Sequence, residues 1–140
     1  GVQTCALPIW LRSRVQDMVE DPSEAVRLEV LRHAVAAKDL QIGRKLEARI
    51  CAESSAKLSE AEMRALCISY GKILKGESES NLLSIALGQK RTAHPKAPSF
   101  SLLGLKASGS RNAKLALQRV ITEAPRLATE AESILRELGA

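Results

Sequence analysis

The chain reads as a succession of short amphipathic segments in which apolar residues recur every three or four positions. The cleanest lies between Ser59 and Gly76, where Met63, Leu66, Cys67, Tyr70, Ile73 and Leu74 fit one helical face. Ser59 followed by Glu62 has the form of a capping box, and Gly76 is placed to end the helix. Upstream, Asp21-Pro22-Ser23-Glu24 predicts a helix start, with Asp21 as cap and Pro22 in the first turn. That helix is expected over 22–37 with two apolar stripes, Val26–Val30–Ala34 and Leu28–Leu31–Val35, so it should pack on two sides. Asp39 begins another, to about Ala52, with Leu40, Ile42, Leu46 and Ile50 inward. Segments 77–89, 100–107, a helix beginning at Ser110 or Asn112, and a last helix opened by Pro125 complete the pattern. Lys90–Ser99, with Pro95 and Pro98, is the main irregular loop. Leu11–Glu20 reads as the tail of a further helix.

Composition agrees with an all-α fold. Ala, Leu, Glu, Lys and Arg dominate, and Trp10, Tyr70 and Phe100 are the sole aromatic residues. A sandwich or barrel wants alternating β-branched and aromatic residues, and no such run occurs. The first nine residues, Gly1–Ile9 (GVQTCALPI), read like the translation of a sequencing adapter. They are expected to be foreign to the domain and are set aside from fold reasoning. The domain is then 10–140, about 130 residues, enough for one modest core.

The segments also repeat. Leu58–Leu87 can be laid over Ser99–Val120 with Gly76 on Gly109, an offset of 33 residues, and Leu82 then falls on Leu115. Two helices per unit at such a period is the pattern of an α-solenoid. DPSEAVRLEVLRHAVAA resembles the first helix of a HEAT repeat, in which an Asp-Pro turn precedes a Val-Arg pair, here Asp21, Pro22, Val26 and Arg27. MRALCISYGKILKGESESNLLSIAL resembles the HEAT stretch where one helix ends near a glycine and the second begins. PRLATEAESILRELG is similar to the last helix of bacterial HEAT-repeat proteins. The resemblance implies a right-handed solenoid of about three to four stacked antiparallel helix pairs, the C-terminal portion of a longer armadillo-like array. It also implies that Asp21 and Arg27 bond along the stack. The chain departs from the pattern in its long loop 90–99 and in a third unit that lacks the acidic-to-Val-Arg start.

Candidate chemistry is sparse. His33 and His94 have no partners at metal-ligand spacing, and once Cys5 is set aside with the first nine residues, the remaining Cys51 and Cys67 form neither a CxxC nor a disulfide framework. Both cysteines sit among apolar neighbours, where a thiol stays protonated and inert. No phosphate-binding loop or nucleophile elbow occurs. The expectation is therefore no catalytic, cofactor or metal site. A non-catalytic scaffold is expected, presenting an extended helical surface to a protein partner.

The formal charge of +5 is scattered, with a local concentration at Lys90, Arg91 and Lys96 around His94. That group is the candidate contact for a partner, nucleic acid being a lesser alternative. Another alternative is an enzyme-associated repeat protein resembling bilin lyases or helical-repeat DNA glycosylases. No apolar run reaches membrane-spanning length, and a cytoplasmic location is the default expectation.

Overall fold

The computed structural model of the protein describes residues 18–139. The adapter-like nonapeptide and all but the end of the expected helix 11–20 lie outside the described residues. Met18–Glu20 forms a single 3-10 turn. Seven α-helices follow among the described residues: α1 Glu24–Ala37, α2 Leu40–Cys51, α3 Glu60–Ile73, α4 Glu79–Ala86, α5 Ala97–Ser108, α6 Arg111–Glu123 and α7 Ala128–Leu138. No strand occurs among these residues. Short 3-10 turns at Glu53–Lys57 and Pro125–Leu127 join α2 to α3 and α6 to α7.

Local chemistry sets most helix starts. The side chains of Asp39, Ser59 and Ser110 accept hydrogen bonds from the amides of Ile42, Glu62 and Ala113, each satisfying a donor that the first turn leaves unpaired. At α1 the cap is Ser23 rather than Asp21, and the helix begins two residues later than the sequence suggested. The Asp21 carboxylate instead accepts from the Ser23 amide, which fixes the turn that precedes the cap. α5 begins at Ala97, inside the expected loop, because Pro98 fits the first helical turn. The irregular segment therefore keeps its length but shifts three residues toward the N-terminus, to 87–96.

Every extensive helix–helix contact joins helices one or two apart along the chain. α1 lies on α3, α3 on α5 and α5 on α7. Between them α2 lies on α3, α4 on α5, α6 on α7, and α4 on α6. Ile42, Leu46 and Ile50 of α2, Met63 and Cys67 of α3, Leu82 and Ile85 of α4, Leu102 and Leu105 of α5, and Leu117 and Val120 of α6 are fully enclosed. The two stripes expected on α1 are occupied unequally. Val30, Leu31 and Ala34 are buried, whereas Val26, Leu28 and Val35 are half-buried at the edge of the core.

The tightest junction is α3 against α5. A Cβ on Gly71 would stand 2.0 Å from the carbonyl oxygen of Gly104, and one on Gly104 would stand 2.6 Å from that of Cys67. The two backbones thus touch where glycine removes the side chain between them.

The glycine repeat holds in the turns and fails in the helices. Gly76 and Gly109 both take positive φ, 98° and 60°. Yet Leu82 is fully buried while its sequence counterpart Leu115 is 50% exposed. Gly109 caps α5 and α6 starts two residues on, whereas Gly76 lies in a turn and α4 starts three residues on. One residue of slip turns the helix face by about 100°, which carries Leu115 out of the core.

Candidate functional site

Arg27 bonds the turn at Asp21 through that residue's backbone carbonyl, and Glu62, read from the sequence only as part of a capping box, is its main partner. Arg27 Nη1 donates to the carbonyl oxygen of Asp21 at 2.7 Å. Its Nε and Nη2 donate to the two carboxylate oxygens of Glu62, both at 2.7 Å. This bidentate fork ties α1 to α3 and pushes the Arg27 guanidinium above its ordinary value, chiefly through the Glu62 hydrogen bonds. Arg49, from α2, approaches the same carboxylate at 3.5 Å. The Glu62 side chain has no solvent exposure. The capping-box reading is therefore half right: the Ser59 hydroxyl caps the Glu62 amide, but the carboxylate turns inward to two arginines. The signal lay in the spacing, since Glu62 precedes Leu66 and Tyr70 by four and eight residues on the buried stripe.

Glu79 forms a second buried node. Its carboxylate accepts from the Gly76 amide and from the hydroxyls of Ser108 and Ser110, the latter two at 2.5 Å. Burial pushes its pKa up, but the bonds from Ser108, Ser110 and Gly76 outweigh it, and the group sits below its ordinary value. Glu79 thus bridges the Gly76 turn to the turn around Gly109.

The basic loop divides. Lys90 pairs with Glu47 of α2 at 3.0 Å and donates to Asn81. The Asn81 amide in turn donates to the Tyr70 hydroxyl at 2.7 Å. This network is structural, and burial pushes the Tyr70 hydroxyl up to about 12. His94 is buried: its Nδ1 accepts from the Lys96 amide, so Nε2 carries the proton and donates to the Leu58 carbonyl oxygen at 3.2 Å. Its ring pins the loop to the start of α3 and presents nothing at the surface. Arg91 and Lys96 are exposed. Lys45 and Arg49 do not join them but face a separate cleft, and Arg111 opens α6.

Cys67 is buried, and desolvation pushes its thiol up to about 12. Cys51 is half-buried and shifts the same way for the same leading reason. Neither carries the thiolate that nucleophilic chemistry requires. His33 is exposed on α1. Among the described residues no three His, Cys, Asp or Glu side chains gather as metal ligands, and no helix is long and apolar enough to cross a membrane.

Two larger clefts open among the described residues. One, of about 680 Å³, lies between the outer face of α2 and the Val19–Glu20 turn and carries Arg44, Lys45 and Arg49. The other, of about 560 Å³, runs between the 87–99 segment and the α6–α7 turn, with charges of both signs from Lys96, Glu123, Arg126 and Glu130. A shallower groove of about 250 Å³ between α4 and α6 holds Leu83, Leu115 and Ala116.

No family model, curated protein or solved structure matches the chain. The functional reading rests on the geometry alone.

Proposed function

We propose that this chain is a non-catalytic protein-binding scaffold of HEAT-like helical repeats, which offers a partner the surface of α2, α4 and α6. The observation that carries this reading is where the apolar surface lies. Among the described residues the two large hydrophobic side chains left exposed, Leu40 and Leu115, belong to α2 and α6, and Leu83 of α4 shares a groove with Leu115. Contacts between helices one or two apart are what a stacked array of helix pairs produces, and such an array displays one helix of each pair along a continuous face. The signature pair supports the repeat reading as well, since Arg27 bonds both its own turn at Asp21 and the following unit at Glu62.

A nucleic-acid function is less well supported. Duplex DNA presents one charge per about 1.7 Å and calls for a continuous basic stripe, whereas here Lys90 is consumed by Glu47, Arg44, Lys45 and Arg49 line one cleft, and Lys96 and Arg126 line another. Tyr70 and Phe100 are buried and offer no stacking surface. The test is site-specific photo-crosslinking in the source cell, with the reactive residue at Leu40 or Leu115 and, as controls, at Lys72 of α3 or Glu132 of α7. The reading expects one adduct common to Leu40 and Leu115. Adducts confined to the control positions refute it, and tight salt-sensitive binding to duplex DNA would favour the alternative.

A further inference from the structure

We infer that the cleft between α2 and the Val19–Glu20 turn binds an acidic peptide segment of a protein partner. This deepens the scaffold reading and rests on it. The buried face of α2 is Ile42, Gly43, Leu46 and Ile50. The opposite face, Arg44, Lys45, Ala48, Arg49 and Ala52, lines the cleft. Its helical spacing puts two alanines between three cations, so the floor is small and apolar and the rim positive. Glu20 is the sole acidic residue lining it among the described residues.

The cations differ in what already holds them. Arg49 leans on the buried Glu62 carboxylate at 3.5 Å, and its Nε is buried without an acceptor. Arg44 reaches Glu77 only at 3.8 Å, with both side chains more than half exposed, so solvent screens that pair. No ion pair is formed by Lys45 among the described residues. Among the described residues the rim therefore carries an excess of positive charge, unpaired at Lys45 and weakly paired at Arg44, beside a cleft of about 680 Å³, a size that accepts side chains rather than single ions.

Length selects the class of partner. The face from Arg44 to Ala52 spans roughly 12 Å along the helix, which about four residues of extended chain cover. A carboxylate of such a strand meets Arg44 and Lys45, and the strand then runs on over the small side chains of Ala48 and Ala52. Charge complementarity of this kind chooses the partner and speeds its approach.

The experiment titrates the full chain into a fluorescently labelled peptide of alternating glutamate and alanine and reads anisotropy. The glutamate peptide is expected to bind, to weaken as salt is raised, and to outbind its glutamine counterpart. The double variant Arg44→Glu/Lys45→Glu should lose about tenfold or more in affinity, while Lys72→Glu/Lys75→Glu, on exposed residues of α3 and its turn, should not. If the charge reversal lowers the melting temperature, Arg44→Gln/Lys45→Gln replaces it and should weaken binding in the same direction. Equal binding of the glutamine peptide, an unchanged affinity of the double variant, or a short DNA duplex that binds tighter than the peptide overturns the proposal. Shared crosslinks at Leu40 and Leu115 without glutamate-peptide binding would leave the scaffold standing and remove this chemistry from it.

Discussion

Gly71→Ala should be the most damaging single methyl group that can be added to this protein. The new Cβ would lie 2.0 Å from the Gly104 carbonyl oxygen, whereas carbon and carbonyl oxygen rest at about 3.3 Å or more. The obstacle is backbone, so no rotamer change relieves it. α3 and α5, the most extensive helix pair, would have to part by roughly 1.3 Å. A gap of about 1 Å already forfeits up to half of a van der Waals contact, and a buried leucine-sized side chain holds on the order of 5 kcal/mol of such contacts. Loosening two such side chains costs about 5 kcal/mol, and the better helix propensity of alanine returns about 1 kcal/mol. The expected net loss is about 4 kcal/mol, from a total stability on the order of 10 kcal/mol for a domain of this size. Gly43→Ala provides the contrast. Its nearest obstacle is the Ile73 Cγ2 at 2.6 Å, on a branched buried side chain that can shift without parting two backbones, so about 2 kcal/mol is expected. Urea denaturation followed by circular dichroism measures both, with a constant slope required for the comparison. Equal destabilisation by the two substitutions, or a Gly71→Ala protein within about 1 kcal/mol of the parent, would refute the backbone-contact argument.

Glu62→Gln keeps the shape of the buried node but leaves Arg27 and Arg49 without their counter-charge, and should cost about 3 kcal/mol in the same denaturation assay. Because the Glu79 pKa is held below its ordinary value of 4.5, its contribution is complete above that pH and is lost as the pH falls through the depressed value. Stability measured across acid pH should therefore fall less steeply in Glu79→Gln than in the parent, and parallel acid limbs would exclude Glu79 as a source of the slope. In thiol labelling of the native protein at neutral pH, Cys67 should stay unmodified and Cys51 should react slowly, both becoming fast in denaturant. Rapid native labelling of Cys67 would contradict its enclosure. Tyr70→Phe removes the hydroxyl that accepts from Asn81 and should cost about 1 kcal/mol, read as a shift in the urea midpoint.

Much of the architecture was legible because it is local. Apolar residues at helical spacing, serine and aspartate caps and glycine stops act within a few residues, and the helices carry such marks in the sequence. α5 was underestimated because a proline reads as a breaker, although in a first turn it is compatible with the helix. The Asp21 cap was misplaced by two residues because Asp and Ser serve that role almost equally and only the backbone path chooses between them. The basic group at 90–96 looked like one surface in sequence. Folding drew Lys90 and His94 inward, one to Glu47 and one to the Leu58 carbonyl, and left Arg91 and Lys96 outside.

By itself, then, the sequence determined that the described residues are all-helical, where their helices begin and end to within a few residues, and that Cys51 and Cys67 are poor nucleophiles. These follow from hydrogen-bonding and burial preferences that each segment carries alone. Tertiary structure decided what touches across the chain. It set Glu62 between Arg27 and Arg49, Glu79 between two glycine turns, and Gly71 against Gly104. It also turned Leu115 outward while Leu82 went in, and brought three cations to one face of α2 beside a cleft. Each of these depends on the rotation of one helix against another, where a single residue of slip is about 100° and exchanges core for surface.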